Sequence, residues 1–349
     1  MRAARYHGRR DVRIEDVAEP DPGPDEVKLR VAFNGICGSD LHEYYSGPSA
    51  CPTTPHPMTG AQIPVILGHE LSGVVTAIGA RVTDVHEGDQ VAVEPLVTCG
   101  HCASCRSGRY HLCSRLAIHG LSTGGGGLAE YTVVNRSMVH RLPPNVTLAH
   151  GALVEPMSVA LHAVRRAGAQ AGQTAVVHGA GPIGIGALLA LRAQNVDVMV
   201  VEPSPVRRDS AVALGAVHAI DPSAVDVVTA IRQLTGGLGA TVAIEAAGAP
   251  ASLQTALATT AIQGTVVVVA VHERPVVLPP LSLLAGELTI TGSVAYCNDF
   301  PAVIESMATG AYPVDPWVST ISLDDLVDFG FPALRDGDAV KILVDLGAP

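Results

Sequence analysis

Four of the seven cysteines, Cys99, Cys102, Cys105 and Cys113, fall in CGHCASCRSGRYHLC, a C-x2-C-x2-C-x7-C spacing. Four thiolates this close suit tetrahedral Zn²⁺ in a closed site with no position for substrate, so this zinc would be structural. An iron–sulfur cluster is the competing occupant, but ferredoxin runs use a shorter last gap followed by proline. Here Ser114 follows the last cysteine. A second set of ligand types is more dispersed, with Cys37 in GICGSDLHEY and His69–Glu70 in ILGHELSG. A thiolate, an imidazole and a carboxylate would leave one coordination position for water or substrate, as a catalytic zinc requires. Cysteine and histidine in apolar segments also serve as packed core residues, and the spacing leaves both readings open.

The third chemical signal is VVHGAGPIG, in which Gly179, Gly181 and Gly184 keep the G-x-G-x-x-G spacing with Pro182 and Ile183 between the last two. It follows an apolar run and opens a helix-like segment, the context in which such glycines cradle a pyrophosphate at a helix N-terminus. Glu202 ends the next apolar run 18 residues after Gly184, near the about 20-residue offset of the acid that binds the adenosine ribose. A carboxylate there repels a 2′-phosphate and favours NAD over NADP, whereas Arg207 and Arg208 are close enough in sequence to reach such a phosphate.

These groups need a scaffold, and the chain reads as two kinds of segment. Residues 1–150 have short apolar runs (Val27–Phe33, Leu71–Ile78, Gln90–Pro95, Glu130–Val134) bounded by Gly, Pro, Asn and Asp, the pattern of an all-β unit. Gly124–Gly127 predicts a flexible or closely approached backbone. Beyond residue 153, strand-like runs (Ala175–His178, Val196–Val201, Val217–Ile220, Thr241–Glu245, Thr265–Val271, Leu288–Gly292) alternate with helix-like ones (Pro182–Gln194, Val206–Leu214, Ala224–Leu234, Ala251–Ile262). That alternation predicts an α/β, doubly wound parallel sheet. A helix over Asp299–Thr309 and a strand over Val340–Asp345 return to the first unit. The expected division is 1–153 with 295–349, carrying the cysteine lobe at about 95–115, and 154–294 for the dinucleotide.

Composition narrows the function classes. The 349 residues are 48% hydrophobic and 16% charged, which excludes general disorder. A net charge of −11 argues against a standing nucleic-acid partner, since phosphate backbones need a basic surface. Ser252, Gln254, Thr255, Thr259, Thr260, Gln263 and Gly264 interrupt the longest uncharged stretch, so no membrane span is expected. The start, MRAARYHGRRDVRIEDV, lacks the apolar stretch of a secretory signal, and a cytoplasmic protein is expected. Only four Phe, seven Tyr and one Trp leave the cores to Ala, Val, Leu and Ile.

Taken together, GICGSDLHEY, PVILGHELSGVV, EGDQVAVEP, the cysteine lobe, LVEPMSVALHAV, VVHGAGPIG and VAIEAAG make the chain resemble the zinc-dependent medium-chain alcohol/polyol dehydrogenases along nearly its whole length. The resemblance implies a GroES-like catalytic domain plus a Rossmann domain, with one catalytic and one structural Zn²⁺ and NAD. It implies Cys37, His69 and Glu155 as catalytic-zinc ligands, with Glu70 a nearby acid that binds or exchanges with water. It further implies a proton relay from the substrate hydroxyl through Ser39 and the nicotinamide ribose to His42, and Asp40 as the acceptor that fixes the tautomer of His69. The reaction implied is metal-stabilised alkoxide formation followed by hydride transfer to nicotinamide. Without the resemblance, Ser39 reads as a turn hydroxyl and His42 as a surface residue.

The insertion GPSACPTTPHPMTGAQIPVILGHE resembles the members of that family acting on a small vicinal diol and its hydroxyketone, (R,R)-2,3-butanediol and acetoin. Sorbitol- or xylitol-type polyols are the alternative substrates, and a zinc-free quinone reductase or binding protein is the alternative of another class. Lys341 is a candidate contact for the cofactor phosphates or for a metal-site glutamate. Cys51 and Cys297 have no assigned role. The strand at Leu288–Gly292 is expected to offer an edge to a second subunit, giving a homodimer or a homotetramer of dimers.

Overall fold

The computed structural model describes residues 1–347; Ala348 and Pro349, the end of the expected 295–349 segment, lie outside the described residues. The strand Glu26–Gly35 organises the β-rich part. Its Val27, Leu29 and Val31 are buried while Lys28 and Arg30 alternate with them, as the two-residue strand period requires. It pairs antiparallel with Glu70–Ile78, Tyr131–Asn135 and the C-terminal strand Lys341–Asp345 in a seven-stranded sheet. The register matters for function. Gly35 stands opposite both Glu70 and Leu343, so Cys37, His69, Glu70 and Lys341 arrive at one end of three neighbouring strands.

Six strands form the second sheet, in the order His218–Ile220, Asp197–Val201, Thr174–His178, Ala240–Glu245, Thr260–Val268, Thr289–Gly292, all parallel. Helices cover both faces, and Ala175–Val177 and Val198–Val200 are buried, as expected for continuous apolar runs in a parallel sheet. The chain returns across the sheet between Thr174–His178 and Ala240–Glu245, where such folds open a ligand crevice. The first sheet is GroES-like and the second is a Rossmann sheet, in agreement with the expected α/β architecture.

The structure adds one element, corrects one boundary and selects between two readings of a third segment. Leu148–Ala167 is a 20-residue helix capped by the Thr147 hydroxyl and ended by Gly168 at φ +66°. Twelve of its residues are buried, so it lacks the polar face that reveals a helix in sequence. The helix foreseen over 251–262 spans Pro250–Thr259 instead, because Thr260 already pairs with Ala240 in the sheet. Gly124–Gly127 serves close approach: a Cβ on Gly126 would lie 2.4 Å from the carbonyl oxygens of Ile66 and Leu67.

Candidate active site and metal centres

Cys37 is the N-cap of the short helix Gly38–Tyr45, directly beyond the strand Glu26–Gly35. His69 precedes the strand Glu70–Ile78, whose register sets Glu70 opposite Gly35. The Cys37 thiol, a His69 ring nitrogen and a Glu70 carboxylate oxygen lie within 4.8 Å of one another. A Cβ on Gly35 would fall 2.1 Å from Glu70 Oε2, so this approach requires glycine. Burial pushes the Cys37 thiol well up, and Glu70 adds to the effect, a cost that a bound cation would offset.

Glu155, on the helix Leu148–Ala167, faces the same centre but lies outside that triplet. Burial raises its carboxyl, with His69 opposing, and Tyr296 is a further buried neighbour that the sequence did not flag. Ser39 Oγ is 3.3 Å from His69 Nε2. Asp40 stands 3.8 Å from His69 Nδ1, longer than the hydrogen bond expected, because its other oxygen accepts the Cys37 N–H at 3.0 Å. Asp40 Oδ1 and His69 Nδ1 are consequently buried without partners. This fits a metal centre, where a metal on Nε2 leaves Nδ1–H to donate toward such a carboxylate.

Lys341 departs from half of its expectation. It is fully buried, forms an ion pair with Glu70, and donates to the Ile36 carbonyl at 2.8 Å. The strand Lys341–Asp345 belongs to the catalytic sheet, so Lys341 meets the metal-site glutamate and does not line the dinucleotide pocket. His42 lies at the same helix as Cys37, and its Nδ1 contacts Glu273 at 2.9 Å.

In the lobe, Cys99, Cys102, Cys105 and Cys113 bring their sulfurs within 4.8 Å of one another. Backbone N–H groups point at them: Cys102 N to Cys99 Sγ at 3.4 Å, Cys105 N to Cys102 Sγ at 3.5 Å and Arg115 N to Cys113 Sγ at 3.4 Å. The N–H groups of Cys105 and Ser114 lower the Cys102 thiol, favouring the thiolate that a metal needs. All four donors are protein sulfurs, so the site is closed.

The glycine turn joins the strand Thr174–His178 to the helix Pro182–Ala193. Gly179 has φ +95° and packs on the Ala246 backbone, and a Cβ on Gly184 would sit 2.0 Å from the Gly179 carbonyl oxygen. Gly181 faces open space. Pro182 and Ile183 form the first turn of the helix. A cavity of about 390 Å³ runs past His178, Gly179, Gly181, Glu202 and Arg207. The Glu202 carboxylate is fixed by the Ala180 N–H at 2.7 Å and the Ser204 N–H at 2.9 Å. Arg207 is spent on the Leu334 and Ala339 carbonyls, and Arg208 on Asp221 and the carbonyls of Glu202 and Pro203.

A GroES-like sheet presenting a Cys–His–Glu cluster, a four-cysteine lobe and a Rossmann dinucleotide crevice define a zinc-dependent oxidoreductase. Residues 23–144 match the alcohol dehydrogenase GroES-like domain and residues 182–309 the zinc-binding dehydrogenase domain. The chain belongs to the zinc-binding alcohol dehydrogenase family, and zinc and a nicotinamide dinucleotide are its cofactors. It is 43% identical to (R,R)-butanediol dehydrogenase of Bacillus subtilis, with 99% of each chain covered. Sorbitol dehydrogenase of the same organism is 36% identical over 99% of this chain and 97% of its own. The crystal structure of 2R,3R-butanediol dehydrogenase from Bacillus subtilis superposes with a TM-score of 0.93 at 42% identity, covering 99% of both chains. Among the described residues no helix is long and apolar enough to cross a membrane.

Proposed function

We propose that this enzyme interconverts (R,R)-2,3-butanediol and acetoin with NAD. The observation that carries the reading is the full-length similarity to (R,R)-butanediol dehydrogenase together with the Cys37–His69–Glu70 cluster. When bound, zinc supplies a Lewis acid for the substrate oxygen and the nicotinamide accepts the hydride. Cys37 and His69 would hold the metal with Glu155 or Glu70, and Lys341 pairs with Glu70. Ser39, 3.3 Å from His69 Nε2, would accept the hydroxyl proton and His42 would return it to solvent, a bound nicotinamide ribose being the group that could link the two. Gly179, Gly181, Pro182, Ile183 and Gly184 cradle the pyrophosphate, and Glu202 binds the adenosine ribose. Because both nearby arginines are engaged by backbone and Asp221, neither is free to compensate a 2′-phosphate, which supports NAD over NADP.

The division into a catalytic domain (1–153 and 295–349) and a cofactor domain (154–294) follows strand membership, with the helix Leu148–Ala167 shared between them. The enzyme is a homodimer or a homotetramer of dimers. A cytoplasmic setting suits its seven unpaired cysteines, since reducing compartments keep thiols free.

The test is a panel of initial rates: NAD reduction with (2R,3R)-, (2S,3S)- and meso-butanediol, sorbitol and xylitol, and NADH oxidation with acetoin. The expected result is saturable turnover of acetoin and the R-configured diols, abolished by a zinc chelator. A preference for sorbitol or xylitol would reject the diol assignment and leave the site chemistry in place.

A further inference from the structure

The helix Phe331–Asp336 ends at Gly337, with φ +84°, and leads into Lys341–Asp345, the C-terminal strand of the catalytic sheet. Helix ends leave carbonyls without an intrahelical donor. Here the N–H groups of Asp338 and Ala339 both turn back to the Ala333 carbonyl, at 3.0 and 3.3 Å. The N–H four residues on from Leu334 is thereby spent elsewhere, and a donor from the cofactor half takes its place. Arg207 Nη2–H donates to the Leu334 carbonyl at 3.0 Å and to the Ala339 carbonyl at 3.2 Å, and Nε–H reaches Ala339 at 3.3 Å. Beside it, the Ser204 hydroxyl donates to the Gly337 carbonyl at 3.0 Å. Two side chains that follow the strand Asp197–Val201 thus hold three carbonyls of the catalytic half. The same loop carries Glu202. Its carboxylate accepts the Ser204 N–H, and the Ser204 hydroxyl accepts the Arg207 N–H at 3.4 Å as the cap of the helix Pro205–Ala213.

We infer that Arg207 is a positioning residue, a clasp that holds the segment 334–339 against the adenosine end of the dinucleotide crevice and couples its order to cofactor binding. The coupling rests on the assignment of the adenosine ribose to Glu202 above. A guanidinium suits the clasp, because its rigid planar fork reaches two carbonyls at once, whereas a lysine ammonium is a single point on a flexible stem. Positive charge beside the C-terminal carbonyls of a helix is also favourable. A ribose seated on Glu202 immobilises the loop 202–207. Where the clasp has already ordered that loop, the seating loses less conformational entropy. Linkage makes the effect mutual, so that NADH steadies the segment by the same factor as the segment strengthens NADH binding.

The experiment compares the zinc-loaded parent with Arg207→Ala, Arg207→Lys and Glu202→Ala. It reads amide hydrogen exchange over residues 331–341, with and without NADH, and NADH affinity by fluorescence titration. Expected for cofactor-free Arg207→Ala is exchange about tenfold faster over 334–341, the scale of a lost hydrogen bond to a charged group. NADH should slow exchange there in the parent and slow it less in the variant. NADH affinity should fall about fivefold, the low end of a coupling between sites. Arg207→Lys keeps the charge without the fork and should lie between the two, and it carries the test should the alanine variant fail to fold. Parental exchange in the cofactor-free arginine variants would overturn the clasp even if NADH affinity fell, since Arg207 would then act as a direct cofactor contact. Faster exchange with parental NADH affinity and parental protection by NADH would overturn the coupling and leave Arg207 a structural role. Parental NADH affinity in Glu202→Ala would reject the ribose assignment and the coupling with it, while exchange in the arginine variants still decides the clasp.

Discussion

His178 ends the strand that enters the glycine turn, is 1% exposed, and has both ring nitrogens without a partner. Burial depresses it to about 4, against about 6.5 in an unfolded chain. The unfolded chain therefore binds a proton as pH falls through 6.5 while the native protein does not. Stability is full above that point and declines down to the folded value, by up to about 3 kcal/mol for this group. His178→Phe keeps an aromatic ring and removes the titration. Its urea midpoint should fall less than the parent's between pH 7.5 and pH 5, and an equal fall would refute the assignment. Individual residues differed in how openly the sequence announced them. The clustered cysteines and glycines carry their meaning in spacing of a few residues. The ion pair of Lys341 with Glu70 joins positions 271 residues apart, and nothing local to either residue announces it.

The cysteine lobe shows how an element can depend on its metal. Its helix, Ala103–Arg106, has four residues and buries none of them, far short of the length at which a helix sustains itself. Its order must come from the four sulfurs. Cys102→Ser should retain about one zinc per chain where the parent holds about two, with faster amide exchange over residues 99–115, since a closed zinc site supplies folding free energy directly. Metal analysis showing two zincs in the variant would reject the site. The helix Leu148–Ala167 illustrates the opposite limit of legibility. It is packed between the Rossmann helix Pro182–Ala193 and the strand Glu70–Ile78, so polar and apolar positions show no face. Its role in carrying Glu155 to the metal centre becomes evident only once both partners are in place.

At the far side of the cofactor sheet the strand Thr289–Gly292 is an open edge. Next to it the helix Pro280–Gly286 buries none of its residues, and Val277, Leu281 and Leu284 are more than 70% exposed. Exposed apolar residues clustered beside an unpaired strand mark an association surface, and they support the proposed dimer. Leu284→Glu should shift the mass measured by light scattering toward 349-residue monomers while leaving the zinc content at about two per chain. A variant that remains dimeric would place the interface elsewhere.

The amino-acid order alone was sufficient for the metal lobe, the dinucleotide turn, the alternation of strands and helices and the family resemblance, because each is written in contacts between residues close along the chain. The catalytic centre is of another kind. Cys37, His69, Glu70 and Lys341 meet because Gly35 stands in register with Glu70 and Leu343. Register is set by which side chains must be buried across three strands at once. The contact of Glu273 with His42 likewise joins a residue on the helix Gly38–Tyr45 to one far along the chain. Such relations are properties of the packed molecule, in which long-range burial and pairing select one arrangement from the many that local sequence permits.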